Sequence, residues 1–412
     1  MDATNGNTTT SPMEEGHSDS MKIPWHIITP SLIIYYLTLV RLLRFRAIRQ
    51  LEAKYAAYIS DPYRLNYKQA REIMHLSMLH DDPFLFVLGT QWALVKSYAM
   101  ATGTPLLAQT RQLCDATKVG RRAEDTAVFL VELLAGDIDG ARGRAALAKL
   151  NWIHGRYGDR IKEGDYVHTL ALFVLEPQRW IARYGWRPMT LLERVAQLVY
   201  WREVGHRMGF GGIPATLEEL ELWKADYEGE NMYFIPENRL VADATVGLFL
   251  RQTPRFLHGV MTSLFISFIE EGKVREALGY PDPPAWATAL TGGFLWLRGF
   301  VIRHFFLPRL RKLDPLAKPG ADGRLYQTPS FVAFEPWYVA DTWYNRVMLW
   351  VTSGGKMKPG KSFQSRGYLP EELGPAEFEK ASRGPVERQA KAMEEYIKNG
   401  GSAGVGCPFR FG

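Results

Sequence analysis

Three polar side chains on one predicted helix have the residue types and spacing to act on a small molecule. The segment 119–134 reads as a helix in which Arg122, Asp125 and Thr126 lie three and four residues apart, so the sequence predicts one polar patch. A guanidinium, a carboxyl and a hydroxyl together are suited to binding anions and moving protons. The alternative for Asp125 is a structural ion pair with Arg121 or Arg122.

A histidine follows on the next predicted helix, over about residues 141–157. His154 lies in line with apolar residues of that helix, where a lone histidine is usually a satisfied core residue, and this alternative stays open. His168 and His206 also lie in helical segments. Spacing alone does not rank the three histidines as candidate ligands.

Several catalytic classes lack their signatures. The chain contains no HExxH motif, no pair of histidines at i and i+4, no Walker loop and no GxSxG elbow, which disfavours non-haem metal sites, nucleotide hydrolysis and serine hydrolysis. The C-terminal GVGCPFRFG lacks the phenylalanine and arginine that precede a haem-binding thiolate. Cys407 is therefore not expected to ligate a haem.

Five segments resemble the MpaB-type fungal membrane-bound oxygenases, which are similar in turn to the bacterial rubber oxygenases. An Arg-x-x-x-Thr pair precedes the proximal haem histidine in that family; Arg122 and Thr126 keep the pair, and His154 follows at the expected distance. The segments are RRAEDTAVFLVELLAG (121–136), LNWIHGRYGDRIKEGDYVHTLALFVLEPQRW (150–180), YGWRPMTLLERVAQLVYWREVG (184–205), IPATLEELELWKADYE (213–228) and NRLVADAT (238–245).

The resemblance implies a cofactor, haem b, with His154 as the axial iron ligand and its second ring nitrogen held by an acceptor. Arg122 would stabilise negative charge on reduced oxygen or pair with a haem propionate, and Thr126 would donate a hydrogen bond. Asp125 would move protons. By the same resemblance His168 is a pocket residue.

His206 is assigned by the resemblance to the surface or to the surroundings of the site. The rubber oxygenases have a distal lysine where this chain has Asp125, and a glutamate upstream where no acid occurs between Asp82 and Asp115. Their mechanism therefore does not transfer directly.

The implied reaction is oxidative cleavage of a carbon–carbon double bond in the prenyl chain of a lipophilic metabolite by dioxygen. Two alternatives stay open. One is a haem oxygenase that hydroxylates or rearranges a polyketide or terpenoid, and the other is a non-catalytic, membrane-anchored binding protein of the same fold. The source of electrons, should the reaction need one, is also open.

Composition supports a large helical protein with ample core to enclose a cofactor. The 412 residues are 46% hydrophobic with few alternating, strand-like runs. The formal charge is only +6, and the basic residues are scattered, so we expect no nucleic-acid partner. Two cysteines, Cys114 and Cys407, exclude a disulfide framework.

The N-terminal part divides into a polar tail and an apolar segment. Residues 1–22 are polar, which predicts a disordered tail with one glycosylation sequon at Asn7. Residues 23–43 are predicted to be a transmembrane anchor, with an interfacial or buried helix as the alternative. The basic residues from Arg41 onward outnumber Lys22, so a single-pass protein of the endoplasmic-reticulum membrane would have a lumenal tail and a cytosolic domain.

The remaining chain is predicted to be all-α. With the resemblance, this predicts a globin-like helical core with additional helices over 44–355, forming the haem oxygenase domain. The extension 356–412 reads as partly disordered, with a possible helix at 385–398.

Three local features are predicted within this domain. Pro177 should end the helix that begins at Tyr166, because proline lacks the amide that a helix interior needs. Thr190 and Glu193 have capping-box spacing. The aromatic helix at 286–306 is expected to pack in the core, with a position on the membrane surface as the alternative.

Overall fold

The computed structural model describes residues 25–400 and is mostly α-helical, which confirms the predicted fold class. The predicted tail, the Asn7 sequon and Cys407 lie outside these residues. One short antiparallel hairpin joins β1 (Lys318–Pro319) and β2 (Leu325–Tyr326). The helices are α1 Trp25–Arg44, α2 Arg46–Lys54, α3 Tyr67–Leu76, α4 Pro83–Ser97, α5 Thr104–Thr110, α6 Val119–Leu134, α7 Ala141–Gly155, α8 Glu163–Tyr184, α9 Leu191–Arg207, α10 Leu217–Asn231, α11 Pro236–Leu250, α12 His258–Phe268, α13 Gly272–Leu278, α14 Ala285–Phe305, α15 Trp343–Thr352 and α16 Arg383–Lys398.

Helix α1 is the predicted N-terminal candidate membrane helix. Most of its apolar side chains are exposed, and it packs against the end of α14, where the Tyr36 hydroxyl donates to the Phe305 carbonyl at 2.8 Å and Arg44 donates to the Phe306 carbonyl. Two helical stretches in the described chain are long and apolar enough to cross a membrane, Ile28–Lys54 and Ala285–Phe305.

The centre of the protein is the close packing of α4 against α8. A Cβ atom on Gly89 of α4 would lie 2.6 Å from the Cα of Pro177, so only glycine allows this approach. Pro177 lies inside α8 and does not end it, which corrects the sequence-based expectation. The contacts along α4 hold α8 continuous across the proline, and such packing offsets the lost helical hydrogen bond.

The predicted capping box at the start of α9 is confirmed. The Thr190 hydroxyl accepts from the Glu193 amide at 3.4 Å, and the Glu193 carboxylate accepts from the Thr190 amide at 2.9 Å. The same carboxylate is buried and pairs with Arg187, which also pairs with Asp81. The Glu193 carboxylate that caps α9 thus also joins this helix, through Arg187, to the segment before α4.

The C-terminal extension packs on the helical domain. Tyr368 and Leu373 of this extension are buried, together with Tyr338 from the preceding chain, in a second apolar cluster against α6 and α7. Leu325 and Tyr368 exchange backbone hydrogen bonds of 2.9 Å, which ties the extension to the hairpin. Helix α16 confirms the helix predicted at 385–398.

The expectation that the aromatic helix α14 packs in the core is wrong. Its buried residues are Ala287, Leu295 and Gly299, whereas its bulky side chains face outward. The Gly299 backbone lies against Tyr184, where a Cβ atom would meet the Tyr184 carbonyl oxygen at 2.5 Å. A narrow stripe of mostly small residues therefore forms the inner contact, which leaves the larger residues exposed.

Candidate active site

A large cavity, of about 1120 Å³, lies between the central helices. Its lining includes residues of α4, α6, α7, α8, α9, α11, α12 and α14, and residues 330–334. Most of the lining is apolar. Small-ligand sites usually occupy about 300–1,000 Å³, so this cavity has room for more than a small substrate.

The polar groups of α6 that face this cavity are Arg122 and Thr126. The Thr126 hydroxyl donates to the Arg122 carbonyl at 2.8 Å and accepts a hydrogen bond from the Arg122 guanidinium. Arg122 makes no ion pair within residues 25–400. Its remaining N–H donors are therefore available to an anionic group in the cavity.

His154 also lines the cavity, from the last turn of α7. Its ring lies 5.3 Å from the Tyr166 ring, and its Nδ1 is buried with no hydrogen-bond partner among the described residues. Burial, and then the positive charge of Arg122, lower the pKa of His154 to about 4. The imidazole is therefore neutral at pH 7, which is the form that binds a metal.

His168 is fully buried on α8 and reaches the same cavity. Its Nε2 lies 2.9 Å from the Glu228 carboxylate, which also pairs with Lys224 at 2.8 Å. Burial alone would raise the pKa of Glu228, but the His168 hydrogen bond and Lys224 lower it to about 2. His168 is thus held by a protein partner, whereas His154 is not.

Asp125 does not line the cavity, so the expectation of one shared patch on α6 is corrected. Its carboxylate accepts from the Tyr338 hydroxyl and lies 3.7 Å from the Arg121 guanidinium, an arrangement that matches the ion-pair alternative. Burial raises the pKa of Asp125 to about 6, against the opposing effect of Arg121. Tyr338 comes from the C-terminal part of the chain and cannot be inferred from the spacing within α6.

Two further acids on α6 were not anticipated from the sequence. Glu132 is buried, pairs with Arg142 and accepts from the Tyr368 hydroxyl at 2.7 Å. Glu124 accepts from the backbone amides of Phe334 at 2.6 Å and Glu335 at 3.1 Å. Their only signal in the sequence is that they are acidic residues in a largely apolar helix. Both side chains bind later parts of the chain and do not line the cavity.

The other sequence candidates lie elsewhere. His206 does not line the cavity, and burial lowers its pKa, with Arg202 acting in the same direction. Among residues 25–400, no three His, Cys, Asp or Glu side chains come together as metal ligands. A metal ion bound by His154 would therefore need its other ligands from a bound cofactor, as a porphyrin supplies them to haem iron.

The family described as "ER-bound oxygenase mpaB/B'/Rubber oxygenase, catalytic domain" matches residues 77–302, which carry Arg122, Thr126, His154 and His168. The chain belongs to this family. The match spans more than half of the sequence and includes α4, α6, α7, α8 and α9, which all contribute residues to the cavity lining. It supports an oxygenase role in general terms.

Three relatives extend the similarity beyond the family match. The "ER-bound oxygenase mpaB'" of Penicillium brevicompactum is 28% identical over 93% of this chain and 95% of its own length. The "ER-bound oxygenase mpaB" of Penicillium roqueforti (strain FM164) is 29% identical over 63% of this chain and 91% of its length. The "ER-bound oxygenase mpaB" of P. brevicompactum is 26% identical over 83% and 86%.

The cavity fits the haem that the sequence resemblance implies. It offers one neutral imidazole with an unpartnered buried nitrogen, a free guanidinium for a carboxylate such as a propionate, and apolar walls for a large flat ring. The acceptor predicted for the second histidine nitrogen is not found, since His154 Nδ1 has no partner in the described part of the chain.

Proposed function

We propose that this protein is a haem b-dependent oxygenase that cleaves a carbon–carbon double bond in the prenyl chain of a lipophilic metabolite. One observation carries the proposal: His154, which is neutral and whose Nδ1 has no hydrogen-bond partner among the described residues, lines the same apolar cavity as Arg122 and Thr126. When bound, haem would supply an iron centre at which dioxygen is activated.

Each cavity residue has a distinct task in this proposal. His154 would hold the iron through one ring nitrogen, its neutral state maintained by burial and by Arg122. Arg122 would bind a propionate or stabilise negative charge that develops on oxygen, and the Thr126 hydroxyl would orient the guanidinium. His168, fixed by Glu228, would shape the pocket wall.

The apolar walls determine which substrates fit. Phe86, Trp92, Phe129 and Phe173 line the cavity, and such surfaces bind a prenyl chain by removing it from water. The reaction is balanced without a reductant: one double bond and one dioxygen give two carbonyl groups, each with one oxygen atom.

The proposed location is the endoplasmic-reticulum membrane, with α1 as a single transmembrane anchor. The relatives are named as ER-bound, and α1 is apolar and largely exposed. Arg41 in its last turn, and Arg46 and Arg49 in the α2 helix that follows, favour a cytosolic catalytic domain.

Product analysis with isotopically labelled dioxygen tests this function. The full chain, produced with added haem, is incubated with a farnesyl-bearing aromatic compound. We expect two carbonyl products, each with one labelled oxygen, and much less of both from Thr126→Val. A single labelled product of unchanged carbon number would instead indicate hydroxylation, and a protein without a Soret band or product would indicate a binding protein.

A further inference from the structure

An extended exposed apolar surface adjoins the cavity. It is formed by α12 with the short turn Arg255–Leu257 ahead of it, by α14 and by α15, and we call it the aromatic face. Soluble proteins rarely leave so many large apolar side chains uncovered on neighbouring helices. The exposed members are Phe256, Leu257, Val260, Met261, Trp286, Leu290, Phe294, Trp296, Leu297, Phe300, Phe305, Trp343, Tyr344, Val347, Trp350 and Val351.

Contacts between elements connect these helices. Helix α12 packs against α14, and α14 packs against α1. Helix α15 packs on the turn Pro329–Phe331 at the cavity wall, and Lys356, just after α15, donates to the Gln252 carbonyl ahead of α12. The aromatic face is therefore continuous with the apolar surface of α1.

We propose that the aromatic face is embedded in one leaflet of a lipid bilayer, as a membrane contact additional to the α1 anchor. Three observations favour lipid as the occupant. The face adjoins α1 through the Tyr36 and Arg44 contacts. Tryptophan and tyrosine, which prefer membrane interfaces, recur in it, and α12, α14 and α15 contain no acidic residue.

Charge near the face has the sign that phosphate headgroups attract. Arg309, Arg311 and Lys312 are exposed directly after α14, and Arg41 and Arg46 are exposed at the neighbouring end of α1. Leu310, between two of these arginines, is almost completely exposed. A basic rim around an apolar surface is typical of proteins that lie in a membrane interface.

The cavity opens within this face. Met261 of α12, with Leu290 and Phe294 of α14, both line the cavity and are exposed. The embedded face would therefore join the cavity directly to the acyl chains, so that a lipophilic molecule enters without crossing water. This route rests on the proposed function, whereas the lipid contact does not.

Spin labels on single cysteines test the contact in the full chain. Variants carry Cys114→Ser and Cys407→Ser plus one of Trp296→Cys, Trp343→Cys or Leu32→Cys of α1. The matched control is Leu222→Cys on α10, because Leu222 is 68% exposed, comparable with 61% for Trp296 and 77% for Trp343. Each protein is reconstituted into phosphatidylcholine vesicles, with and without phosphatidylserine.

We expect labels at Trp296 and Trp343 to collide with oxygen and to lose collisions with a water-soluble nickel complex, as at Leu32. The Leu222 label should remain accessible to nickel. Water accessibility at both aromatic-face positions would overturn the proposal, as would shielding that appears only at high protein-to-lipid ratio, which would indicate a second copy. Because these readouts do not involve turnover, they can succeed or fail independently of the oxygenase proposal.

Discussion

The polar side chains on the two faces of α6 differ in the partners that the rest of the protein gives them. On the cavity face, Arg122 has Thr126 as its side-chain partner and no ion pair within the described residues. On the back face, Glu124, Asp125 and Glu132 are buried, and each accepts hydrogen bonds from distant parts of the chain. The acids of α6 are thus held by the later chain, whereas Arg122 keeps donors that face the cavity.

This difference separates structural from functional roles. A buried charge is costly unless it is paired, and Asp125 and Glu132 on the back face are paired with Arg121, Arg142 and tyrosine hydroxyls. One oxygen of Glu124 accepts from backbone amides, whereas its other oxygen has no partner among the described residues. The free donors of Arg122 and the His154 Nδ1 atom have no such partner within residues 25–400. Both residues line the cavity, where these groups could bind a ligand.

The largest expected effect of a back-face change is on stability. Glu132→Ala should lower the unfolding free energy by about 3 kcal/mol, because Arg142 and the Tyr368 hydroxyl lose a buried acceptor. Chemical denaturation in detergent measures this. The control, Glu387→Ala, removes an exposed pair with Arg383 and should cost less than about 0.5 kcal/mol. Equal stability of the two variants would contradict a structural role for the back face.

A change on the cavity face should act on turnover instead. Arg122→Ala should lower turnover by about 10²-fold, the typical loss when a donor to developing charge is removed, while haem content stays close to normal. Lys118→Ala, one helical turn earlier, removes an exposed positive charge of α6 and serves as the control. A comparable loss of turnover in both variants would show that general charge, not the cavity donor, matters.

Glu124 should make the stability of the protein depend on pH. Burial raises its pKa to about 7, despite the opposing amide hydrogen bonds, from an ordinary 4.5. As pH rises between these values, the unfolded state releases this proton first, so stability falls by at most about 1.4 kcal/mol per pH unit. Glu124→Gln should flatten this slope in denaturation series. An unchanged slope would assign the pH dependence to other groups.

The smallest expected effect comes from Tyr338→Phe. This change removes the hydroxyl that donates to Asp125 and should cost about 1 kcal/mol of stability without altering turnover per haem. Tyr344→Phe, at an exposed position on α15, should cost nothing measurable. A large loss of turnover in Tyr338→Phe alone would move Asp125 from a structural to a catalytic role.

Local features were predictable because their causes are local. The helical fold, the apolar N-terminal helix and the capping box at Thr190 and Glu193 follow from residue spacing and helix-start chemistry. Arg122, Thr126 and His154 line one cavity, and their roles there stay predictions.

Other features depend on contacts that are distant in sequence. Successive residues of a helix are rotated by about 100°, so Asp125 and Thr126 point in different directions. Which of them faces the cavity depends on how the surrounding chain packs around α6. The Tyr338 hydroxyl holds the Asp125 carboxylate, and the Gly89 backbone lies against Pro177 inside α8. Neither partner has a sequence signal that identifies it.

Haem content per protein in histidine variants tests the central proposal most directly. His154→Ala should lose most of the Soret absorbance, because an axial bond contributes several kcal/mol to binding, and added imidazole should restore it. His206→Ala, outside the cavity, should keep the normal spectrum, and His168→Ala should keep the haem. A normal Soret band in His154→Ala, together with its loss in His168→Ala or His206→Ala, would contradict His154 as the ligand.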